Sequence, residues 1–128
     1  VGAIGICIGA STLVESNEEA VSFAKENIIL NKNDNCEAVL SPAEKTLDYI
    51  QKDSIIVFDP PRAGLHGKVI DRIIEVKPQK IIYLSCNIST QARDISLLSK
   101  NYNIKSIKLY NFFPRTPHIE GLIILELK

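Results

Sequence analysis

The sequence predicts an α/β fold, with helices on both faces of a mostly parallel sheet and an antiparallel strand pair at the C-terminal end. Three observations carry this. Residues 80–84 are almost wholly apolar, and polarity changes abruptly at Ser85, Cys86 and Asn87, as at the carboxyl end of a parallel strand covered on both faces. Apolar strand-like runs alternate with helix-like stretches from the start of the chain. Two consecutive strands, over 104–112 and 122–127, close it. Open α/β sheets bind ligands outside the carboxyl ends of their strands, so the residues delivered there are the candidate site.

In order, residues 1–9 carry Gly2, Gly5 and Gly9 among small apolar residues, a pattern for a tight turn entering a short helix with close backbone approach to a ligand or strand. Residues 10–15 predict a short strand ending in Glu15. Asn17 caps the next helix, Glu18 and Glu19 suit its first turn, and Ala20, Val21, Ala24, Ile28 and Leu30 form its apolar face. An acid at that strand end is placed either to hold ribose hydroxyls or to sit as an ordinary surface carboxylate. A strand over 36–40 precedes Ser41, Pro42 and Glu44, which read as a capping box opening a helix with Leu47 and Ile50 inward.

The buried strand over 54–58 delivers Asp59, followed by Pro60, Pro61, Arg62, Ala63 and Gly64. Two prolines exclude a helix there and fix the backbone behind the acid, making Asp59 and Arg62 candidate functional residues; the plainer role for Arg62 is a surface ion pair. A helix over 67–76 turns Val69, Ile70, Ile73 and Ile74 to the sheet, and Pro78 closes it. After Cys86, Ser89 or Thr90 is expected to cap a helix whose inner side is Ala92, Ile95, Leu97 and Leu98. Cys86 at that helix entrance is either a nucleophile favoured by the helix dipole or a small core residue. Between the last two strands, residues 112–120 are aromatic and twice interrupted by proline, ending in His118, Ile119 and Glu120. Glu120, at the mouth of an apolar strand, is the better placed of the two polar groups.

With 128 residues, 45% hydrophobic, the chain suits one domain with a real core. Fifteen basic and fifteen acidic residues leave no overall charge, so a broadly basic nucleic-acid surface is not indicated, while a local pocket stays open. Cys7, Cys36 and Cys86 lack metal-ligand spacing, which favours free thiols in a reducing compartment. There is neither a leader pattern nor an uninterrupted apolar run of membrane-spanning length, and a cytoplasmic protein without a membrane partner is expected. The absence of methionine and the start inside a glycine-containing element lead us to expect part of a longer chain.

Three segments, DPPRAGLHGKVI from Asp59, YLSCNISTQARDI from Tyr83 and NFFPRTPHIE from Asn111, together closely resemble the S-adenosylmethionine-dependent RNA uracil-5-methyltransferases. VGAIGI and LVESNEEAVSFAKENIILN look like the end of that family's cofactor loop and its second strand and helix, so the resemblance covers nearly the whole chain. It implies a Rossmann-like methyltransferase sheet lacking its first strand, S-adenosyl-L-methionine as cofactor, and RNA as partner, 23S rRNA ahead of tRNA. It further implies Cys86 as nucleophile, Glu120 as the base that removes the carbon-5 proton, and Asp59 as a pocket residue near both base and cofactor. Gly2, Gly5 and Glu15 become cofactor residues, and Arg62, Asn87 and His118 substrate-side residues. The chemistry asks for such a set: a thiolate adding to carbon 6 of uracil makes carbon 5 nucleophilic, and a base must then remove the carbon-5 proton. A flipped base also needs an apolar wall, for which Phe112 and Phe113 are candidates beside a simple core role.

The sequence departs from the family pattern in places. Pro42 stands where the family commonly has Asp before Ala-Glu, and Ile88 replaces the proline after Ser-Cys-Asn. The barrel and iron–sulfur cysteines found N-terminal to this domain in many members are not in these residues, and no metal is expected here. Two other readings stand beside this one. In amino-group methylation, Asp59 and its prolines would act while Cys86 and Glu120 have no task; in the other, a methyltransferase-like module binds RNA or protein without chemistry.

Overall fold

The computed structural model describes residues 2–9 and 11–128; the expected beginnings of the glycine segment at Val1 and of the first strand at Ala10 fall outside them. The chain forms two compact units, Val1–Tyr49 and Ile50–Lys128.

In the first unit, α1 (Ala3–Ile8) leads to β1 (Ser11–Glu15), then α2 (Glu18–Leu30) and β2 (Cys36–Leu40). β1 and β2 pair in parallel from Ser11↔Cys36 to Glu15↔Leu40. Gly5 is buried in α1 because a Cβ there would run into the Leu13 side chain and lie 2.9 Å from Ser11 Oγ. The glycine therefore lets the helix sit on the strand, and Ser11 Oγ donates to the Gly5 carbonyl at 3.0 Å. Asn17 caps α2 as expected, its Oδ1 accepting the Ala20 N–H at 2.8 Å. Val21 and Ala24 are buried, but Leu30 is 76% exposed. Nine residues beyond Val21, at about 100° per residue, it has rotated to the opposite side of the helix.

The helix expected after Ser41 does not form. Two single turns of 3₁₀ helix, Ala43–Lys45 and Leu47–Tyr49, take its place, and Pro42 precedes the first without a side-chain cap. Ser41 Oγ donates instead to the Pro42 carbonyl at 3.4 Å, and Thr46 Oγ1 to those of Pro42 and Ala43 at 3.4 and 3.2 Å. These hydroxyls occupy carbonyls that an α-helix would use.

The second unit contains β3 (Ile55–Phe58), α3 (Gly67–Val76), β4 (Lys80–Ser85), α4 (Ile88–Leu98), β5 (Tyr102–Tyr110) and β6 (Glu120–Leu127). Their sheet order is β3-β4-β6-β5, with β3 and β4 parallel and β6 antiparallel to both its neighbours. This is the expected mixed α/β arrangement with an antiparallel pair at the end. Among the described strands, β1 and β3 each carry a partner on one side only.

Burial alternates along the central strands: Ile81, Tyr83 and Ser85 of β4 and Gly121, Ile123 and Leu125 of β6 are buried, whereas Ile82, Leu84, Leu122 and Ile124 are half-buried. Val69, Ile70 and Ile73 of α3, with Ile95 and Leu98 of α4, complete the core, while Ile74 stays at its margin. Each such side chain taken from water contributes about 2 kcal/mol. His66 begins α3, its Nδ1 accepting the Lys68 N–H at 3.2 Å, and Lys77 ends it in a left-handed conformation.

The inner face of α4 differs from the expectation. Ala92 and Leu97 are exposed, and the fully buried polar side chains are Gln91 and Asp94. Phe112 and Phe113, at 63% and 54% exposure, are not core residues. No described helix is long and apolar enough to cross a membrane.

Candidate active site

Three strand ends meet at one edge of the four-stranded sheet. Asp59 follows the last residue of β3, Cys86 follows the last residue of β4, and Glu120 is the first residue of β6. Ser85 faces Gly121 in the β4–β6 ladder, so Cys86 and Glu120 are each one residue along the chain from that pair. Directly opposed residues on antiparallel strands lie about 5 Å apart at Cα. Phe58 faces Tyr83 in the β3–β4 ladder and the two rings meet edge-on, centroids 6.3 Å apart. Since side chains alternate, Phe58, Tyr83, Ser85 and Gly121 share one face. Asp59 and Cys86 thus leave the ends of two paired strands, and Glu120 opens the strand beside them.

Burial raises the pKa of Asp59 above the ordinary carboxylate range, although the residue as a whole is solvent-exposed. Cys86 is partly exposed and reduced, as a nucleophile must be.

Helix α4 holds the loop that follows Asp59. Asn87, rather than Ser89 or Thr90, is its N-cap: Oδ1 accepts the Ser89 N–H at 3.1 Å, while Nδ2 donates to the Arg62 carbonyl at 3.0 Å. Thr90 Oγ1 donates to the same carbonyl at 3.0 Å. One turn on, Asp94 Oδ2 accepts the Leu65 N–H at 2.8 Å and the Tyr83 hydroxyl at 2.7 Å, and Oδ1 takes Arg93 Nη2 at 2.7 Å. Arg93 Nη2 also donates to the Ala63 carbonyl at 2.9 Å. Burial, helped by this carboxylate, drives the Tyr83 phenol far above its usual range, so it remains a donor. Gly64, at φ 83, passes where a Cβ would lie 2.6 Å from Asp94 Oδ2. The side chain of Asn87 is thereby committed to structure, and that of Arg62 extends from an anchored backbone.

Gln91 performs a similar task between strands. Its Nε2 donates to the carbonyls of Tyr83 and Gly121, each at 3.0 Å, tying β4 to β6 beside Cys86 and Glu120. Its buried Oε1 has no hydrogen-bond partner, and a Cβ on Gly121 would collide with it. The sequence reading missed Asp94, Gln91 and Arg93, and gave Thr90 only as a possible cap. A signal was present: Asn87, Thr90, Gln91 and Asp94 recur at i, i+3, i+4 and i+7, one helical face made of hydrogen-bonding groups.

Elsewhere in the second unit, His118 lies exposed in the turn after Phe113, its N–H donating to Thr116 Oγ1 at 3.3 Å. In the first unit, Glu15 ends β1 with Oε1 accepting the N–H groups of Ser16 and Asn17 at 2.6 and 2.8 Å. Gly2 precedes α1 at φ 75. A shallow cavity of about 430 Å³ is lined by Ser11, Thr12, Asp34, Asn35, Cys36 and Glu37. There Cys36 is buried with Sγ 3.3 Å from Ser11 Oγ, and Glu37 accepts from Thr12 Oγ1 at 2.8 Å. This pair stands at the start of β2, the end opposite to the one that delivers Glu15. No cluster of potential metal ligands occurs among the described residues.

Comparison with known proteins identifies the family and the fold. The tRNA (Uracil-5-)-methyltransferase family model matches residues 44–128. An uncharacterized RNA methyltransferase of Nanoarchaeum equitans is 45% identical over 88% of this chain, and one of Chlamydia caviae 38% identical over 98%. The chain spans only 24% and 33% of the length of these two relatives. The crystal structure of Pyrococcus abyssi tRNA (uracil-54, C5)-methyltransferase in complex with S-adenosyl-L-homocysteine superposes with a TM-score of 0.86 at 33% identity, over 97% of this chain and 31% of that one. A precorrin-6y C5,15-methyltransferase from Geobacter metallireducens, TM-score 0.72 at 15% identity over 92% of this chain and 67% of that one, shares the fold. With more than half its length matched by the family model, the chain belongs to the tRNA (uracil-5-)-methyltransferase family.

Proposed function

We propose that this chain is the catalytic part of an enzyme that methylates carbon 5 of a uridine in RNA. The observation that supports the reading is that Asp59, Cys86 and Glu120 stand at the ends of three strands that neighbour one another in the sheet, β3, β4 and β6. Cys86 adds as thiolate to carbon 6, converting the ring to an enolate. Asp59, rigidly presented by Pro60 and Pro61, orients the base. After methylation, Glu120 removes the carbon-5 proton, and the electron pair it leaves re-forms the double bond and expels Cys86. Adjacent strand ends are where the nucleophile and the base would reach one ring.

The residues fit S-adenosyl-L-methionine, which when bound supplies the electrophilic methyl group. Glu15 offers a carboxylate oriented by two backbone N–H groups at a strand end, the donor set suited to ribose hydroxyls. Gly2 adds a left-handed turn before α1; Gly5 contributes by allowing α1 to pack on β1. Arg62 and His118 are exposed groups for the RNA side. Ribosomal RNA remains our first choice of substrate and tRNA the second, with the cytoplasm as the compartment.

The experiment is covalent trapping. With cofactor and 5-fluorouridine-substituted transcripts of 23S rRNA or tRNA, the natural protein should form a denaturation-resistant adduct whose peptide map places RNA on Cys86. Cys86→Ala should abolish both adduct and methylation; full activity in that variant would instead favour amino-group methylation. The cavity at Cys36 and Glu37 motivates a second reading in which that thiol attacks, and an adduct mapped to Cys36 would replace our assignment.

A further inference from the structure

In this otherwise neutral chain, residues 95–119 contain no acid, while Lys100, Lys105, Lys108 and Arg115 lie within them. Lys105 is paired with Glu126 at 3.5 Å; Lys108 and Arg115 are exposed. The same segment holds Tyr110 and Phe112, whose rings stack with centroids 5.4 Å apart and planes within 2°. Phe112 is 63% exposed, so the stack presents an open aromatic face. Its place in the sheet is specific: Tyr110 faces Glu120 and Lys108 faces Leu122 in the β5–β6 ladder. Tyr110 therefore lies one strand spacing, about 4.8 Å, from Glu120, and Cys86 follows the end of β4, the strand on the other side of β6.

We propose that the Tyr110–Phe112 stack is a docking ledge for the unpaired RNA base next to the target uridine, with Lys108 and Arg115 meeting its phosphates. This rests on the reading of Cys86 and Glu120 as the uridine site. A uridine turned out of its stack leaves the neighbouring base with an open face, and an exposed aromatic ring beside the site replaces the lost contact. Basic residues interleaved with aromatic ones in a segment that contributes no carboxylate of its own match a single-stranded backbone in both charge and shape.

The chain has no tryptophan, so Phe112→Trp adds a reporter that can be read as a difference from the parent. In the natural protein, the single-stranded oligoribonucleotide U12 should quench that fluorescence, with Phe112→Trp binding as the parent does. Phe112→Ala should bind U12 about tenfold more weakly, and its KM for transcript should rise by more than its kcat falls. Ile29→Ala, which removes a 75%-exposed side chain from α2, should bind like the parent and exclude a general loss of apolar surface. Phe112→Ala within twofold of the parent, an unquenched Phe112→Trp, or no binding of U12 by the parent overturns the ledge. So does a fall in Tm for Phe112→Ala with RNA affinity unchanged, the sign of a protein segment packed there. A parent that forms the Cys86 adduct while the Phe112 variants show no effect loses the ledge and keeps the uridine chemistry. Quenching without any adduct reverses that outcome.

Discussion

The two units hold their candidate residues in different ways. In the second, the loop after Asp59 is bound to α4 by side chains from four positions, and the buried residues Tyr83, Gln91 and Asp94 take part in tying it and the strand ends. In the first, Glu15 is oriented by its immediate neighbours Ser16 and Asn17. Core content follows the same division: Val21, Ala24 and Cys36 are the buried apolar side chains of the first unit, against twelve in the second, from Ile50 to Leu125, among the described residues. On our proposal, the nucleophile and base that need tight positioning sit where long-range hydrogen bonds cross between elements, and the carboxylate assigned to ribose hydroxyls sits where local turn chemistry is enough.

The largest test of that contrast is Asp94→Ala. It strands the Leu65 N–H, the Tyr83 hydroxyl and the Arg93 guanidinium around a buried site, and should cost about 3 kcal/mol in denaturant unfolding. Methylation should fall by more than the loss of folded protein explains, because the Asp59 loop is released. Gly121→Ala comes next: displacing Gln91 from its two carbonyls should cost about 2 kcal/mol and lower kcat, since β4 and β6 are no longer locked beside Cys86 and Glu120. Asn17→Ala removes the cap of α2 and should cost about 1 kcal/mol, with hydrogen exchange accelerating in α2 but not in β4 or β6. Protection lost equally in both would break the contrast.

The smallest effect on stability belongs to Asp59→Asn. Its folded pKa is raised by burial, so the native state holds the proton more tightly than the unfolded chain does. Stability from this group is present below the unfolded pKa and falls as pH rises toward the folded one. At neutral pH the neutral amide removes that penalty, and Tm should stay level or rise slightly while methylation drops at least about tenfold. A lower Tm would show that the Asp59 carboxylate is structural.

Much of this was legible from local chemistry. The Asn17 cap, the helix over Gly67–Val76, the apolar run ending at Cys86 and the turn imposed by Pro60 and Pro61 follow from residue types and short-range geometry. The failures have particular causes. Ser41, Pro42 and Glu44 spell a capping box, but Thr46 and Ser41 donate to the carbonyls the helix required. Leu97 looked buried because it is apolar, whereas Asp94 holds the buried position because the Leu65 N–H and the Tyr83 hydroxyl, far off in sequence, join the neighbouring Arg93 around its carboxylate. Phe112 and Phe113 suggested core, yet they follow an edge strand with no element over them to bury them.

By itself, then, the sequence determined the order of strands and helices and the delivery of Asp59, Cys86 and Glu120 to strand ends, because periodicity, caps and prolines act within a few residues. Tertiary structure alone decided which of those ends lie together. The β4–β6 register that sets Ser85 opposite Gly121, and the face of α4 that clamps the Asp59 loop, depend on contacts between residues far apart in the chain. Only the folded backbone brings their donors and acceptors within reach.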